Sequence, residues 1–287
     1  MNKSQKRSRP SQLVVGGHSF IPELGSDPST DFDTQLEIVN ECLDNGINCF
    51  DTTYEPERVA LGRILETLGR RDEAHIIAWN FFADPGTGRY LVGPQPFVEE
   101  HIGKLSDQLR TDCIDMLVVH PVGDATTNRK QLYVAQSWVA AGRAGMLGTW
   151  APSDDPATQF GMPNPYRFMV MPRNIRNPNP AVFASCRRFG WETFATSAFN
   201  RGWLLDQLVA VCEEQPGAAL QAARARVADA LMRFSIHDPN VDHLIVGIRK
   251  KEWIGNNLES VEKGPLSAEE MRWLHEVLGR VTEAEKR

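Results

Sequence analysis

Apolar runs and amphipathic stretches alternate along most of the chain. In the first repeat, Leu36, Val39 and Leu43 recur at helical spacing, and Gly46 can provide a left-handed helix end. A short apolar run over residues 47–50 follows and predicts a buried strand. Because the same order of helical stripe and apolar run recurs several times, the pattern indicates repeated strand and helix units.

The apolar runs predict about eight strands: Leu13–Val15, Ile47–Phe50, Ala74–Trp79, Ile114–Val119, Met146–Thr149, Phe168–Met171, Trp191–Ser197 and His243–Ile248. Eight strands alternating with helices predict an α/β protein with a (β/α)8, or TIM, barrel as a single domain. An open doubly wound sheet remains the alternative, although the first strand is not followed by a G-x-G-x-x-G turn. We assign the barrel to residues 12–287 and a flexible tail to residues 1–11.

Composition and charge favour a small-molecule partner. The chain has 287 residues, of which 41% are hydrophobic, and its net charge is −6, so no general attraction to nucleic acid or anionic membranes is expected. No apolar run is long enough to cross a bilayer, which predicts a cytoplasmic protein that does not bind to a membrane. Oligomeric state is not readable. A basic run near the start is interpreted as part of the solvated tail; it consists of Lys3, Lys6, Arg7 and Arg9.

The cysteines are dispersed and lack C-x-x-C spacing, which predicts free thiols and no metal site. They are Cys42, Cys49, Cys113, Cys186 and Cys212. Glycine and proline concentrate between Phe82 and Pro96, after the third predicted strand. Functional loops of barrels follow strands in this way, but an inert surface loop would have the same composition.

Polar residues with useful chemistry stand where predicted strands end. Asp51 and Tyr54 follow the second strand, and His120 follows the fourth. A phenol can donate a proton to a carbonyl oxygen that receives a hydride, an imidazole can orient the substrate, and a buried carboxylate can tune both. Because a barrel assembles its site at the carboxyl ends of its strands, these residues predict an active site.

Five segments resemble motifs of the aldo-keto reductases. Residues 46–54, GINCFDTTY, resemble the signature G-x-x-x-x-D-T-A-x-x-Y-G, although the tyrosine stands closer to the aspartate. Residues 61–65 resemble L-G-x-x-L, and residues 114–120 resemble the I-D-L-x-x-x-H strand. Residues 197–204 and 247–258 resemble the segments after the seventh and eighth strands. The resemblance therefore implies the barrel and a nicotinamide-dependent oxidoreductase.

The resemblance also implies where NADP(H) binds. In the family, the pyrophosphate lies under the loop after the seventh strand, and the adenosine phosphate lies near the helix after the last strand. Arg249, Lys250 and Lys251 suit that phosphate, since both cation types bind phosphate oxygens. The implied cofactor-binding residues are Trp150, Ser197, Phe199, Gly202, Leu204, Gly247, Arg249, Lys250, Trp253, Asn256 and Asn257.

The sequence departs from the family at the reacting end of this site. Counted without gaps, the family's lysine after the third strand falls on Trp79, which therefore joins the catalytic candidates. Without a cation beside it, Tyr54 should be differently tuned as an acid. Trp150 and Ala151 replace the serine and asparagine that bind the nicotinamide carboxamide, and Thr196 stands where an aromatic residue often stacks on the ring.

Three functions follow from this combination. The first is NADP(H)-dependent hydride transfer to or from a carbonyl or alcohol substrate, with Tyr54 or His120 handling the proton. The second is acid–base chemistry without net redox change, such as an elimination or an isomerisation. The third is a catalytically silent NADPH-binding protein.

Overall fold

A computed structural model of the chain describes residues 9–25, 30–212 and 218–285. Eight parallel strands close into a barrel in which each strand pairs with the next and β1 pairs with β8. The strands are β1 (Leu13–Val15), β2 (Cys49–Thr52), β3 (His75–Trp79), β4 (Ile114–Val119), β5 (Ala144–Trp150), β6 (Tyr166–Pro172), β7 (Glu192–Thr196) and β8 (His243–Val246). The predicted (β/α)8 barrel is confirmed, and the open sheet is excluded.

Helices connect the strands and surround the barrel. Within the described residues they are α1 (Phe32–Asp44), α2 (Glu55–Leu68), α3 (His101–Leu109), α4 (Ala125–Ala140), α5 (Pro156–Phe160), α6 (Pro180–Arg188), α7 (Trp203–Cys212), α8 (Ala218–Ile236), α9 (Glu252–Glu262) and α10 (Ala268–Glu285). Both α7 and α8 lie between β7 and β8, while α9 and α10 follow the last strand. A 3-10 turn over Gly17–Phe20 follows β1, and another over Arg71–Glu73 precedes β3.

Local sequence sets the helix ends. The Asp31 side chain accepts a hydrogen bond from the Thr34 backbone N–H and begins α1. Gly46 and Gly69 have φ of 76° and 66°, the left-handed conformation that ends α1 and α2 before the next strand. The predicted helix end at Gly46 is therefore confirmed.

The barrel interior is filled by side chains that alternate with those facing the helices. Its buried cluster comprises Val14, Cys49, Ile77, Trp79, Met116, Val118, Phe168, Val170, Phe194 and Ile245. Phe81, Met146 and Trp150 pack against this cluster and are partly buried. Because bulky rings fill the interior, the barrel is a packed core on which a site can stand at the carboxyl ends of the strands.

The second strand begins and ends two residues later than predicted. The apolar run ends at Phe50, but β2 continues through Asp51, which pairs with Ile77 in β3, and Thr52. The prediction was wrong at this boundary because it ended the strand at its first polar residue. In a barrel, the inward-facing positions at the strand end belong to the site, so polarity there does not mark the end of pairing.

The remaining predictions concern the tail, the thiols and membranes. Lys3, Lys6 and Arg7 lie outside the described residues, whereas Ser11 donates its backbone N–H to Asn48 and its carbonyl oxygen contacts the His243 ring nitrogen. The five cysteines all lie within the described residues, and none of them forms a disulfide bond. No helix in the described part of the chain is long and apolar enough to cross a membrane. Across residues 9–25, 30–212 and 218–285, no cluster of His, Cys, Asp or Glu is suited to a metal ion.

Candidate active site

A cavity of about 620 Å³ opens at the carboxyl ends of the strands. It brings together residues that are far apart in the sequence, including all the predicted site residues except Leu204 and Lys251. Those that line it are Asp51, Tyr54, Trp79, His120, Trp150, Ser197, Phe199, Gly202, Gly247, Arg249, Lys250, Trp253, Asn256 and Asn257. One end of the cavity is aromatic and the other is cationic.

At the base of the aromatic end, Trp79 is hydrogen-bonded to Asp51. The indole Nε1–H donates to Asp51 Oδ1 over 2.6 Å. Burial raises the pKa of Asp51 to about 7, against the smaller lowering effect of this hydrogen bond. At the position where the resemblance predicts a lysine, the indole supplies a hydrogen-bond donor without supplying a charge.

Tyr54 lies at the start of α2, where its phenol faces the cavity. Its side chain is half-buried, and burial together with the nearby Glu57 carboxylate raises the pKa of the phenol. A raised pKa keeps the hydroxyl protonated and opposes formation of a phenolate. The raised pKa agrees in direction with the expectation that Tyr54 is a differently tuned acid.

His120 follows β4 directly and is fixed through its backbone. Its N–H donates to Asn80 Oδ1 over 2.9 Å, and its carbonyl oxygen accepts hydrogen bonds from the amides of Asn80 and Gln131. The imidazole Nδ1 lies 2.9 Å from the Pro121 carbonyl oxygen, and burial lowers the pKa of the ring. His120 is therefore placed as a neutral imidazole whose Nδ1 is occupied by its own loop.

Aromatic rings line this end of the cavity. Trp150 lies 5.4 Å from Trp79 between ring centroids, and the His120 ring stacks on Trp150 at 6.0 Å. Phe81 makes edge contacts with both Tyr54 and His120 at 5.5 and 5.6 Å. The base of the cavity is thus flat-sided and largely apolar, which favours planar apolar groups.

A buried arginine joins the loops that hold these rings. Arg58 in α2 donates to the carbonyl oxygens of Thr53 and Phe81 over 2.7 Å each, and its Nε donates to Gln108 Oε1 over 2.6 Å. Burial lowers the pKa of Arg58 to about 10, so the guanidinium keeps its charge at neutral pH. Arg58 thereby fixes the positions from which Tyr54 and Phe81 face the cavity.

Sequence reasoning missed a histidine and glutamate pair beside Tyr54. His18 Nδ1 lies 2.7 Å from Glu57 Oε1, and the His18 ring stacks on Tyr54 at 5.9 Å. His18 lines the cavity, whereas Glu57 is fully buried. No local motif marks the pair, since 39 positions separate the two residues, but a histidine in the turn that follows the first strand was a usable signal.

Beyond the aromatic rings, the cavity lining includes Arg224 in α8 and Lys250, whose ammonium lies 5.2 Å from the Trp253 ring centroid. Arg201, in the turn after β7, also lines the cavity and is near enough to Tyr54 for its charge to oppose the rise in the pKa of the phenol. Arg224 also pairs with Asp206. Neither Arg201 nor Arg224 was among the predicted cofactor residues. Arg201 stands at a position that the motif over residues 197–204 leaves unspecified, and Arg224 lies outside the segments that resemble the family motifs.

Three predicted residues are placed differently from expectation. The Arg249 guanidinium reaches the cavity edge but donates to the backbone oxygens of His18 and Ile21, so it fastens the loop after β1. Leu204 is 1% exposed in the apolar cluster beneath α7, while its neighbour Leu205 lines the cavity, because helical periodicity turns adjacent side chains apart. Lys251 pairs with Glu37 and Glu41 of α1.

The segment after β3 contributes little to the cavity. Phe81 lines it, whereas Phe82 is buried and stacks on His101 at 3.8 Å. Residues 83–96 are not among the cavity lining. For this stretch, the structure favours a packing and connecting role over a direct place in the site.

Comparisons with known proteins identify the fold. No family model and no curated protein matches the sequence. Among solved structures, a glycerol dehydrogenase from Gluconobacter oxydans superposes with a TM-score of 0.71 at 17% identity, covering 94% of this chain and 92% of that chain. An aldo-keto reductase from Bacillus halodurans, in its holo form, superposes with a TM-score of 0.68 at 18% identity, covering 93% and 92%. The resemblance predicted from the motifs is thus confirmed at the level of the fold: this chain has the same (β/α)8 barrel fold as these two structures.

Proposed function

We propose that this protein is an oxidoreductase of the aldo-keto reductase type that transfers a hydride between NADP(H) and a carbonyl or alcohol substrate. The observation that supports this proposal is the continuous cavity that joins Tyr54 and His120 at its aromatic end to the cations at its other end. Such a site can hold a long anionic cofactor with its reacting end against proton-handling groups. When bound, the nucleotide supplies or accepts the hydride.

The cationic end fits the phosphates of the cofactor. Arg224 and Lys250 line this part of the cavity, and the first turn of α9 begins beside Lys250. Backbone N–H groups at a helix start favour anions, and guanidinium and ammonium groups bind phosphate oxygens strongly. Because two cations line this part of the cavity, we favour NADP(H) over NAD(H), whose adenosine lacks the extra phosphate.

The aromatic end fits a planar ring. Trp79 and Trp150 offer flat apolar surfaces that exclude water from the space beside Tyr54 and His120. Neutral His120 donates its Nδ1–H to the Pro121 carbonyl, so its Nε2 is an acceptor that can orient the hydroxyl group of an alcohol substrate. The five dispersed cysteines suit a reducing compartment, and we therefore favour the cytoplasm as its location.

Nucleotide titration tests the proposal first. Purified protein should bind NADPH with micromolar or tighter affinity, and NADPH absorbance should fall with some members of an aldehyde and ketone panel. Lys250→Ala should weaken NADPH binding by about tenfold, the effect of one charged contact. Lys251→Ala is the matched control, since that lysine pairs with α1 outside the cavity, and it should bind NADPH as the wild type does.

Two results would contradict the proposal in different ways. Absence of NADPH binding at micromolar concentrations would remove the oxidoreductase function. Turnover of a substrate without oxidation or reduction of the nucleotide would identify acid–base chemistry. The uncharged Trp79 next to Asp51 is the observation that favours this second function, because the family lysine is missing there.

A further inference from the structure

We infer that His18 is the group that gives a proton to, or takes one from, the substrate oxygen, and that Glu57 positions it. This inference rests on the proposed function, because it assigns the substrate oxygen to the aromatic end of the cavity. His18 stands on the turn after β1, lines that end, and stacks on Tyr54 at 24° between ring planes.

The Glu57 carboxylate fixes the tautomer of His18. A carboxylate oxygen only accepts hydrogen bonds, so the 2.7 Å contact with Glu57 Oε1 makes His18 Nδ1 the protonated nitrogen. Nε2 then presents its lone pair, and among the described residues none is hydrogen-bonded to it. The same division of roles allows an imidazole to act as general base while a carboxylate orients it and compensates the imidazolium charge.

Glu57 is itself held rigidly. It is fully buried, and its Oε2 accepts hydrogen bonds from the backbone N–H groups of Thr53 over 2.6 Å and Tyr54 over 3.1 Å. These contacts leave the carboxylate no freedom to turn away from the imidazole. The pair is therefore preorganised before any substrate arrives.

Gly17 provides the room for this arrangement. A Cβ at that position would lie 2.3 Å from Glu57 Oε2 and 2.8 Å from the Asp51 carbonyl oxygen. Any side chain at residue 17 would therefore displace the carboxylate from beneath the β1 turn. The absence of a side chain next to His18 is what lets Glu57 reach its Nδ1.

The other titratable groups of this end are less suited to moving the proton. Burial and the neighbouring Glu57 raise the pKa of Tyr54, against a smaller lowering effect of Arg201, and the side chain hydrogen-bonded to Asp51 is the uncharged indole of Trp79. Asp51 is turned to Trp79 and buried away from water. The His18 side chain is 31% exposed, so it can exchange its proton with solvent between turnovers.

In the reduction of a carbonyl, the His18 imidazolium would give its Nε2 proton to the carbonyl oxygen, and a bound reduced nucleotide would supply the hydride that adds to the carbonyl carbon. The C=O π bond, the Nε2–H bond and the hydride-bearing C–H bond of the nucleotide would break, new O–H and C–H bonds would form, and the nucleotide would be left oxidised by two electrons. Neutral His18 then recovers a proton from water, and alcohol oxidation runs through the same steps in reverse.

Steady-state kinetics of the full-length protein test the role of His18. His18→Gln should lower kcat by about 100-fold or more, the usual size of a general acid–base contribution, while its affinity for NADPH stays within about twofold of the wild type. His275→Gln, a change of an exposed histidine on α10, is the control and should leave kcat unchanged. Glu57→Gln should also lower kcat with little change in KM, because the amide can hold the loop without compensating the imidazolium charge.

The pH profile of kcat separates His18 from its neighbours. The part of the profile that depends on His18 protonation should disappear in His18→Gln and persist in Tyr54→Phe. The titratable or charged groups that face His18 are Asp51, Tyr54, Glu57 and Arg249.

Histidine NMR gives a readout that does not need turnover. In ¹⁵N-histidine-labelled protein, the His18 ring should appear as the Nδ1–H tautomer with a strongly hydrogen-bonded proton, and Glu57→Gln should remove that signal while the protein stays folded. A wild-type spectrum with His18 as the Nε2–H tautomer would overturn the pair.

The failures are distinguishable. If the wild type reduces a carbonyl substrate and His18→Gln keeps kcat within about threefold, the role of His18 is overturned and the proposed function stands. If the wild type neither binds NADPH nor turns over any member of the panel, the proposed function fails, and the assignment of His18 fails with it.

Discussion

The indole N–H of Trp79 donates a 2.6 Å hydrogen bond to the carboxylate of Asp51 in the base of the barrel mouth. The family resemblance predicts an ammonium group in that place, which would compensate the carboxylate charge. A neutral donor compensates it less, and burial therefore raises the pKa of Asp51 to about 7. The protonation state of this carboxyl group thus changes within the physiological range.

Asp51→Asn should make stability less dependent on pH. The folded pKa of about 7 lies above the ordinary value of 3.8, so the folded state binds this proton more tightly than the unfolded state does. The Asp51 contribution to the free energy of unfolding should therefore decline as the pH rises from 3.8 to about 7, and it should level off at higher pH. Urea unfolding at a series of pH values measures this. Over the same pH range, the free energy of unfolding of Asp51→Asn should rise by a few kcal/mol relative to that of the wild type.

The control for this experiment is Asp107→Asn, which changes an exposed carboxylate on α3. It should follow the wild-type pH dependence throughout. A decline between pH 4 and about 7 that is equally steep in Asp51→Asn would show that another group is responsible.

Trp79→Lys should restore a cation beside Asp51. The ammonium should lower the pKa of Asp51 below about 7 and should also favour the phenolate of Tyr54. Trp79→Met removes the indole without adding a charge and is the matched control, since either change leaves a void that costs about 2–4 kcal/mol. If unfolding and rate profiles of the two variants depend on pH in the same way, the match between Trp79 and the family lysine is wrong.

Arg58→Met should destabilise the loops that hold the site. The change deprives Gln108 and the backbone carbonyls of Thr53 and Phe81 of their donor, and we expect a loss of about 3 kcal/mol in the free energy of unfolding. Arg63→Met on the same helix is the control; its guanidinium lies over the Phe32 ring at the surface, and its loss should cost about 1 kcal/mol or less. Similar Tm values for the two variants would contradict the role of Arg58 in holding these loops together.

Gly17→Ala adds only one methyl group, but it should lower both the stability of the protein and its kcat. Its methyl group would overlap Glu57 Oε2 and the Asp51 carbonyl, so we expect a loss of about 1–3 kcal/mol in stability and a lower kcat. Gly255→Ala places a methyl group in open space on α9 and should instead stabilise the protein by about 0.5–1 kcal/mol. Normal activity and stability in Gly17→Ala would mean that Glu57 can move without consequence.

The sequence alone predicted the barrel because each strand and helix leaves a pattern within its own short stretch of the chain. Apolar runs and helical stripes report which residues are buried in each element, and Gly46 marks a helix end through its own backbone freedom. Asp51 and His120 could also be identified, since they stand at strand ends and a closed barrel gathers all strand ends at one face. None of this requires knowledge of which side chains meet.

Only the tertiary structure decided how the side chains pair. His18 and Glu57 meet because barrel closure and the absence of a side chain at Gly17 bring two separate loops together. Arg249 turns to the backbone of the β1 loop, and Trp79 takes the Asp51 carboxylate as its acceptor. Such contacts join residues of different strands and loops, so their geometry depends on packing across the whole barrel and leaves no periodic trace in the chain.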